Sequence, residues 1–161
     1  MRKRHIIDSA QAIDLIDLNG NICTDIGAGG GMPGLVLAIM IKSLNKNVKI
    51  ELYEKSYHKS AFLREVSRKL NLNTEVFQKD IFKSKNLSSG TIIARAFKPL
   101  PVVLELVHEN FKNYKNLILF MGINGKKVLN DTMKHWDFKY EEKKSLTNEN
   151  SFLLNIKNIK R

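Results

Sequence analysis

The chain has 161 residues, 43% apolar and 8% aromatic, which suits a globular protein of one domain with a real core. Its net charge of +11 favours a polyanionic partner, although an AT-rich genome also inflates Lys and Asn, both abundant here. No apolar run reaches the roughly 18 residues of a membrane span. The basic start Met1–His5 leads into a stretch with Asp8, Asp14 and Asp17 rather than a secretory signal, and the single Cys23 excludes a disulfide framework within one chain, so a cytoplasmic location follows by default.

Residues 5–18 mix apolar and polar positions at helical spacing, with Ile6, Ala10, Ile13 and Ile16 as one stripe against a sheet and Ser9 or Asp8 as N-cap. Arg4 and His5, just before it, face either the mouth of a site or solvent. Ile22–Ile26 reads as a short buried strand, with Cys23 as a small buried hydrophobe. Gly27, Gly29, Gly30 and Gly31 follow, then a helix from Gly34 to about Leu44 with Leu35, Ala38, Ile39 and Ile41 as its apolar positions and Pro33 at its first turn. Strand, glycine-rich turn and helix form the entry unit of a doubly wound α/β sheet, in which ligands bind beyond the carboxyl ends of the strands. The plain alternative is a tight turn with no ligand. So many glycines weaken a turn unless something must come close.

Gly29-x-Gly31-x-x-Gly34 formally matches the dinucleotide fingerprint, which keeps a nicotinamide-dependent oxidoreductase as an alternative. Counted from the strand end, however, Gly27-Ala-Gly29-Gly-Gly31-Met32 lacks the third glycine. Asp25, an acid inside the strand end, is the pattern of S-adenosylmethionine-dependent methyltransferases; it can orient the loop and approach the cationic methionine end.

Val48–Tyr53 is the second strand, and Glu54 closes it where an acid suits ribose hydroxyls. A helix over Ser56–Leu70 turns Ala61, Phe62, Leu63, Val66 and Leu70 inward and Lys59, Arg64, Glu65, Arg68 and Lys69 outward. Glu75–Gln78 is the third strand. Beyond it, Ile81 and Phe82 either wall an adenine ring or are ordinary core residues, and Asp80 or a backbone amide is placed to meet the ring's edge. Thr91–Ala94 is the fourth strand. Arg95 at its carboxyl end, with Phe97 and Lys98, suits a phosphate or a stacked base, or Arg95 pairs with a carboxylate. A helix over Pro101–Phe111, a fifth strand over Asn116–Phe120, a helix over Gly125–Trp136 and two last strands, Phe138–Lys144 and Phe152–Ile159, complete the chain. Two terminal strands suit a methyltransferase better than a dehydrogenase. The four histidines are isolated, with no metal-ligand spacing.

Arg4-His-Ile-Ile-Asp-Ser9, Asp25-Ile-Gly-Ala-Gly-Gly-Gly-Met-Pro-Gly-Leu35, Lys59-Ser-Ala-Phe-Leu-Arg-Glu65 and Ala94-Arg-Ala-Phe97 occur in order over almost the whole chain. Together they resemble the RsmG (GidB) family of bacterial 16S rRNA guanine-N7 methyltransferases. The resemblance implies a Rossmann-like class I fold, α/β, with a mostly parallel seven-stranded sheet and helices on both faces. It implies S-adenosyl-L-methionine as cofactor, with Gly27, Gly29 and Met32 at the loop, Glu54 at the ribose, Ile81 and Phe82 near the adenine, and Arg95 as a binding arginine. The implied target is guanosine 527 of 16S rRNA, bare or in the small ribosomal subunit. Arg4, His5 and Lys98 are the candidate RNA contacts. Guanine N7 has a lone pair and no proton to lose, so no catalytic acid–base residue is expected. Neither are a metal, a membrane or a second subunit. The chain departs from the family in three ways. It begins three residues before Arg4, where the family carries a few tens of mostly helical residues, so part of the lid is expected to be missing. Met121 stands where a lysine usually precedes the glycine after the fifth strand, and Asp80 where an arginine is frequent. A non-catalytic RNA-binding remnant of the fold is the second alternative.

Overall fold

The computed structural model describes residues 2–161. Helix α1 (Arg2–Gln11) runs into a 3₁₀ turn at Ala12–Leu15. Its inner face follows the expected stripe in part: Ile16 is buried, and Ala10 and Ile13 are half-buried. Ile6 is exposed, and Ser9, Gln11 and Ala12 are buried instead. Neither Ser9 nor Asp8 is an N-cap: both lie well inside the helix, and Ser9 Oγ donates to His5 O at 2.7 Å. The face is polar because it meets backbone carbonyls and amides that need partners. Gln11 Nε2 donates to Lys144 O, and Leu146 N donates to Gln11 Oε1 at 3.1 Å.

Strand β1 (Ile22–Ile26), helix α2 (Gly34–Ser43) and strand β2 (Lys49–Tyr53) follow, with Pro33 at the cap of α2 rather than inside its first turn. Helix α3 (Tyr57–Lys69) is capped by Ser56, whose Oγ accepts from Lys59 N at 3.4 Å. Its inner face is Ser60, Leu63 and Ser67, whereas Ala61, Phe62 and Leu70 are exposed. Ser60 belongs inside because its hydroxyl donates to the carbonyl of Glu54 at 2.9 Å, tying the helix to the end of β2. Strand β3 (Thr74–Phe77) leads into a 3₁₀ turn at Ile81–Lys83. Then come β4 (Leu87–Ser88), β5 (Thr91–Arg95), helix α4 (Leu100–Asn110), β6 (Phe111–Asn113) and β7 (Asn116–Met121). Helix α5 (Gly125–Thr132) stops short of the expected Trp136, and β8 (Asp137–Lys144) and β9 (Phe152–Lys160) end the chain. The short β4 and β6 pair with each other outside the main sheet.

The main sheet has seven strands in the order β3-β2-β1-β5-β7-β9-β8. β1, β2, β3, β5 and β7 run parallel, and β9 inserts antiparallel between β7 and β8. Side chains alternate between two cores. Ile92 and Leu117 join Leu104, Val107 and Trp136 on one face, and their neighbours Ile93 and Ile118 join Leu37, Ile41 and Leu63 on the other. Edge strand β8 is mostly exposed and carries alternating charge, which discourages edge-to-edge pairing. The order reverses at β1, between β2 and β5, and a crevice opens at that switch point beyond the strand ends.

Among the described residues, Ser67 Oγ is a buried side-chain oxygen with no hydrogen-bond partner. Removing an orphaned hydroxyl recovers its desolvation cost, on the order of 1 kcal/mol. Ser67→Ala is therefore expected to raise the urea midpoint with an unchanged m-value; a lower midpoint would show that the hydroxyl has a partner in solution.

Candidate active site

The crevice has a volume of about 540 Å³ and is built from the carboxyl ends of β1, β2 and β5 and the turn after β3. Its floor is the glycine loop. Gly29 has φ +53°, a backbone conformation that glycine adopts without cost. The loop is pinned at two amides by two carboxylates. Glu54 Oε2 accepts from Gly29 N at 2.8 Å, and Asp25 Oδ2 accepts from Gly34 N at 2.9 Å. The glycines serve different ends. A Cβ on Gly27 would collide with the Phe97 ring, and one on Gly34 with Leu52 and Asp25, so protein packing requires those two. Gly30 has nothing within 4 Å of its would-be Cβ, and Gly29 only a carbonyl oxygen at 3.8 Å. There the bare backbone faces open crevice.

Asp25 is buried and does not line the crevice, so of its two expected roles the structure places it at the loop and not against a ligand. Burial pushes its carboxyl up to about 7, the Gly34 amide opposes that, and the nearby Glu54 carboxylate adds to it. Glu54 does line the crevice. Its two oxygens each accept one amide, Gly29 N and Ser56 N (2.9 Å), which leaves further lone pairs for hydroxyl donors. The residues present fit an adenosine-bearing donor: exposed loop backbone, a carboxylate with acceptor capacity, and an aromatic wall. In that wall Phe82 stacks on Phe97 with centroids 5.9 Å apart. Ile81 is core, 3% exposed, though its edge reaches the crevice. Asp80 Oδ1 is engaged by Phe82 N at 3.1 Å, capping its own turn.

Arg95 joins this crevice to α1. Its guanidinium donates to His5 O and Ser9 Oγ, both at 3.3 Å, and to His5 Nδ1, and it lies 5.5 Å over the Phe120 ring. Burial lowers its pKa. Among the described residues no carboxylate pairs with it directly. Gly27, Gly29, Met32, Glu54, Ile81, Phe82, Arg95, His5 and Lys98 all line the crevice. Arg4 does not. It lines a smaller neighbouring cavity, with Asp8 at 4.0 Å. Tyr53 and Lys59 line the crevice without having been singled out as site residues, and Lys79, a candidate stand-in for phosphate contacts beside Asp80, lines it too. Lys59 is exposed, as expected of it, and also edges the crevice. Among the described residues no group of three His, Cys, Asp or Glu side chains could hold a metal ion.

Solved structures share this architecture. An S-adenosylmethionine-dependent O-methyltransferase from Thermotoga maritima superposes with a TM-score of 0.67 at 15% identity, over 96% of this chain and 66% of that one. TrmK from M. capricolum, solved with the cofactor product S-adenosylhomocysteine, gives 0.67 at 16% identity over 92% and 66%. The fold is thus that of the S-adenosylmethionine-dependent methyltransferases. At the level of sequence, the family model GidB, rRNA small subunit methyltransferase G, matches residues 1–155. The Ribosomal RNA small subunit methyltransferase G of Pelagibacter ubique (strain HTCC1062) is 63% identical over 161 residues, all of this chain and 76% of that protein. The chain belongs to the GidB family, which replaces the oxidoreductase reading; β9, running antiparallel inside the sheet, is the matching feature of the fold.

Two outcomes test the loop. Gly30→Ala is expected to leave stability within about 0.5 kcal/mol while weakening S-adenosylhomocysteine binding at least about tenfold, some 1.4 kcal/mol by calorimetry; unchanged affinity would place the ligand elsewhere. For Asp25, the raised carboxyl means that between pH about 4 and about 7 the folded state binds more protons than the unfolded one, so stability falls as pH rises through that window. Relative to Asp25→Asn, the wild type should lose stability between pH 4.5 and 7, and parallel curves would refute the burial effect.

Proposed function

We propose that residues 1–161 act as one monomeric cytoplasmic domain that transfers the methyl group of S-adenosylmethionine to guanine N7 in small-subunit rRNA, at the position of guanosine 527. The observation that carries the reading is the glycine loop held open between Asp25 and Glu54, beside an arginine that reaches both crevice and N-terminal helix. Bound in the crevice, the donor supplies an electrophilic methyl on a cationic sulfur. Glu54 would accept from ribose hydroxyls, and Gly27, Gly29 and Met32 would line the methionine end. Ile81 and Phe82 would wall the adenine.

The acceptor N7 needs no deprotonation, so the residues need only bind and orient. Catalysis then rests on proximity and alignment. Arg95 would fix α1 against the sheet and so shape both binding sites. His5 would sit at the mouth, with Arg4 and Lys98 on the approach path for phosphates. A flipped-out base suits a crevice too narrow for duplex RNA.

The test is transfer of a radiolabelled methyl group to small-subunit RNA lacking the modification, offered bare and in assembled subunits. Label is expected in 7-methylguanosine after nuclease digestion, and replacing the acceptor with 7-deazaguanosine should abolish it. Donor binding with no transfer to either substrate would favour the RNA-binding remnant. Arg95→Ala is expected to lower both donor affinity and transfer by at least about tenfold, roughly 1.4 kcal/mol each; if neither changes, the arginine has no part in the site.

A further inference from the structure

Next to the crevice lies a second, smaller cavity of about 220 Å³. It shares His5, Arg95 and Ala96 with the crevice, so the two adjoin at these residues. Ala96 holds φ +48°, a strained conformation for a residue with a Cβ, of a kind that collects at ligand sites. The cavity's far wall is apolar and comes from Phe120, Met121 and Leu153. Its α1 side carries Asp8, whose side chain is 13% exposed.

The two oxygens of Asp8 are used unequally. Oδ1 accepts from Ser145 Oγ at 3.0 Å and from Thr147 Oγ1 at 2.5 Å. Oδ2 has only Arg4 Nε, at 4.0 Å, beyond hydrogen-bond range. One carboxylate oxygen is thus held by the protein and the other is left with free lone pairs beside a cavity. Arg95 is similarly half-used. Three of its five N–H groups go to His5 O, Ser9 Oγ and His5 Nδ1, which leaves two.

We propose that this cavity receives the acceptor guanine, with Asp8 Oδ2 accepting from the base's N1–H and N2 amine and a spare Arg95 N–H donating to O6. The proposal rests on the methyltransferase reading above and adds the means of base selection. Guanine presents two adjacent donors on its Watson–Crick edge, which the two lone pairs of one free carboxylate oxygen can accept, and O6 lies between that edge and N7. Adenine presents an acceptor at N1, which faces the same carboxylate oxygen with lone pair against lone pair. Specificity of this kind combines a good contact with the right base and a repulsive one with the wrong base. Held by its Watson–Crick edge at Asp8, the guanine would turn its N7 edge toward the residues shared with the crevice.

The test reads binding rather than turnover. Small-subunit RNA with guanosine or inosine at the acceptor position is titrated against the protein with S-adenosylhomocysteine present. Inosine keeps N1–H and O6 and lacks only the N2 amine. The wild type is expected to bind the guanosine RNA about tenfold or more tightly than the inosine RNA. Asp8→Asn, which keeps an acceptor for Ser145 and Thr147 but places an amide donor where Oδ2 stood, should bring that ratio within about twofold. A wild type that does not distinguish the two RNAs overturns the proposal without any variant. So does an Asp8→Asn protein that weakens both equally, because Asp8 would then only hold the 145–147 segment. Should the 7-deazaguanosine control above still accept methyl, the failure lies with N7 as acceptor and not with Asp8.

Discussion

The site depends on a short, glycine-rich stretch of backbone with few side chains of its own to hold it. Two carboxylates on neighbouring parallel strands take one amide each, Asp25 that of Gly34 and Glu54 that of Gly29. Between those anchors the loop exposes Gly29 and Gly30 to the crevice while Gly27 and Gly34 close against Phe97 and Leu52. The strand spacing of the sheet therefore sets the shape of the loop. A buried acid costs stability, and its retention here is consistent with a constraint on shape rather than on stability.

Arg95 extends the same logic to the N-terminal helix. The strand β5 delivers its guanidinium to the carbonyl of His5 and the hydroxyl of Ser9, so α1 is oriented by the sheet rather than by an apolar stripe. Below it a buried chain of amides and hydroxyls continues the attachment. Thr91 Oγ1 donates to Asn116 Oδ1 at 2.8 Å, and Asn116 Nδ2 donates to Leu15 O at 2.8 Å and Asn155 Oδ1 at 2.9 Å. Fully partnered networks of this sort fix one arrangement where apolar contacts would allow several.

Strands such as Ile22–Ile26 and Thr91–Arg95 were legible because they are rich in apolar, β-branched residues and bounded by turn residues. The glycine loop and Glu54 were legible because their meaning lies in position along the chain. What failed to show was anything decided by contact across the fold. Periodicity put Ile6 inside, yet the inner face of α1 meets backbone polar groups, so Ser9 and Gln11 are buried instead. Phe62 looked like a core residue and is exposed, whereas Ser60 is inside because one carbonyl, that of Glu54, waits for it. β4 and β6 are too short to have a period at all. Asp8 appeared as a cap and proves to be a tie to Ser145 and Thr147, partners that no local pattern could reveal.

That tie also bears on how the molecule is made. Asp8 and Thr147 lie 139 residues apart, and Gln11 and Lys144 lie 133 apart. In synthesis α1 is therefore made well before the segment that it clasps. Until then Asp8 and Gln11 lack the partners that this segment supplies, and the strand β9 is not yet there to complete the sheet. The catalytic half-shell around the glycines can condense first, as adjacent strands do, while the wall on the α1 side waits for release. Segments far apart in the sequence thus complete the α1 side, whereas the glycine crevice needs only neighbouring parallel strands.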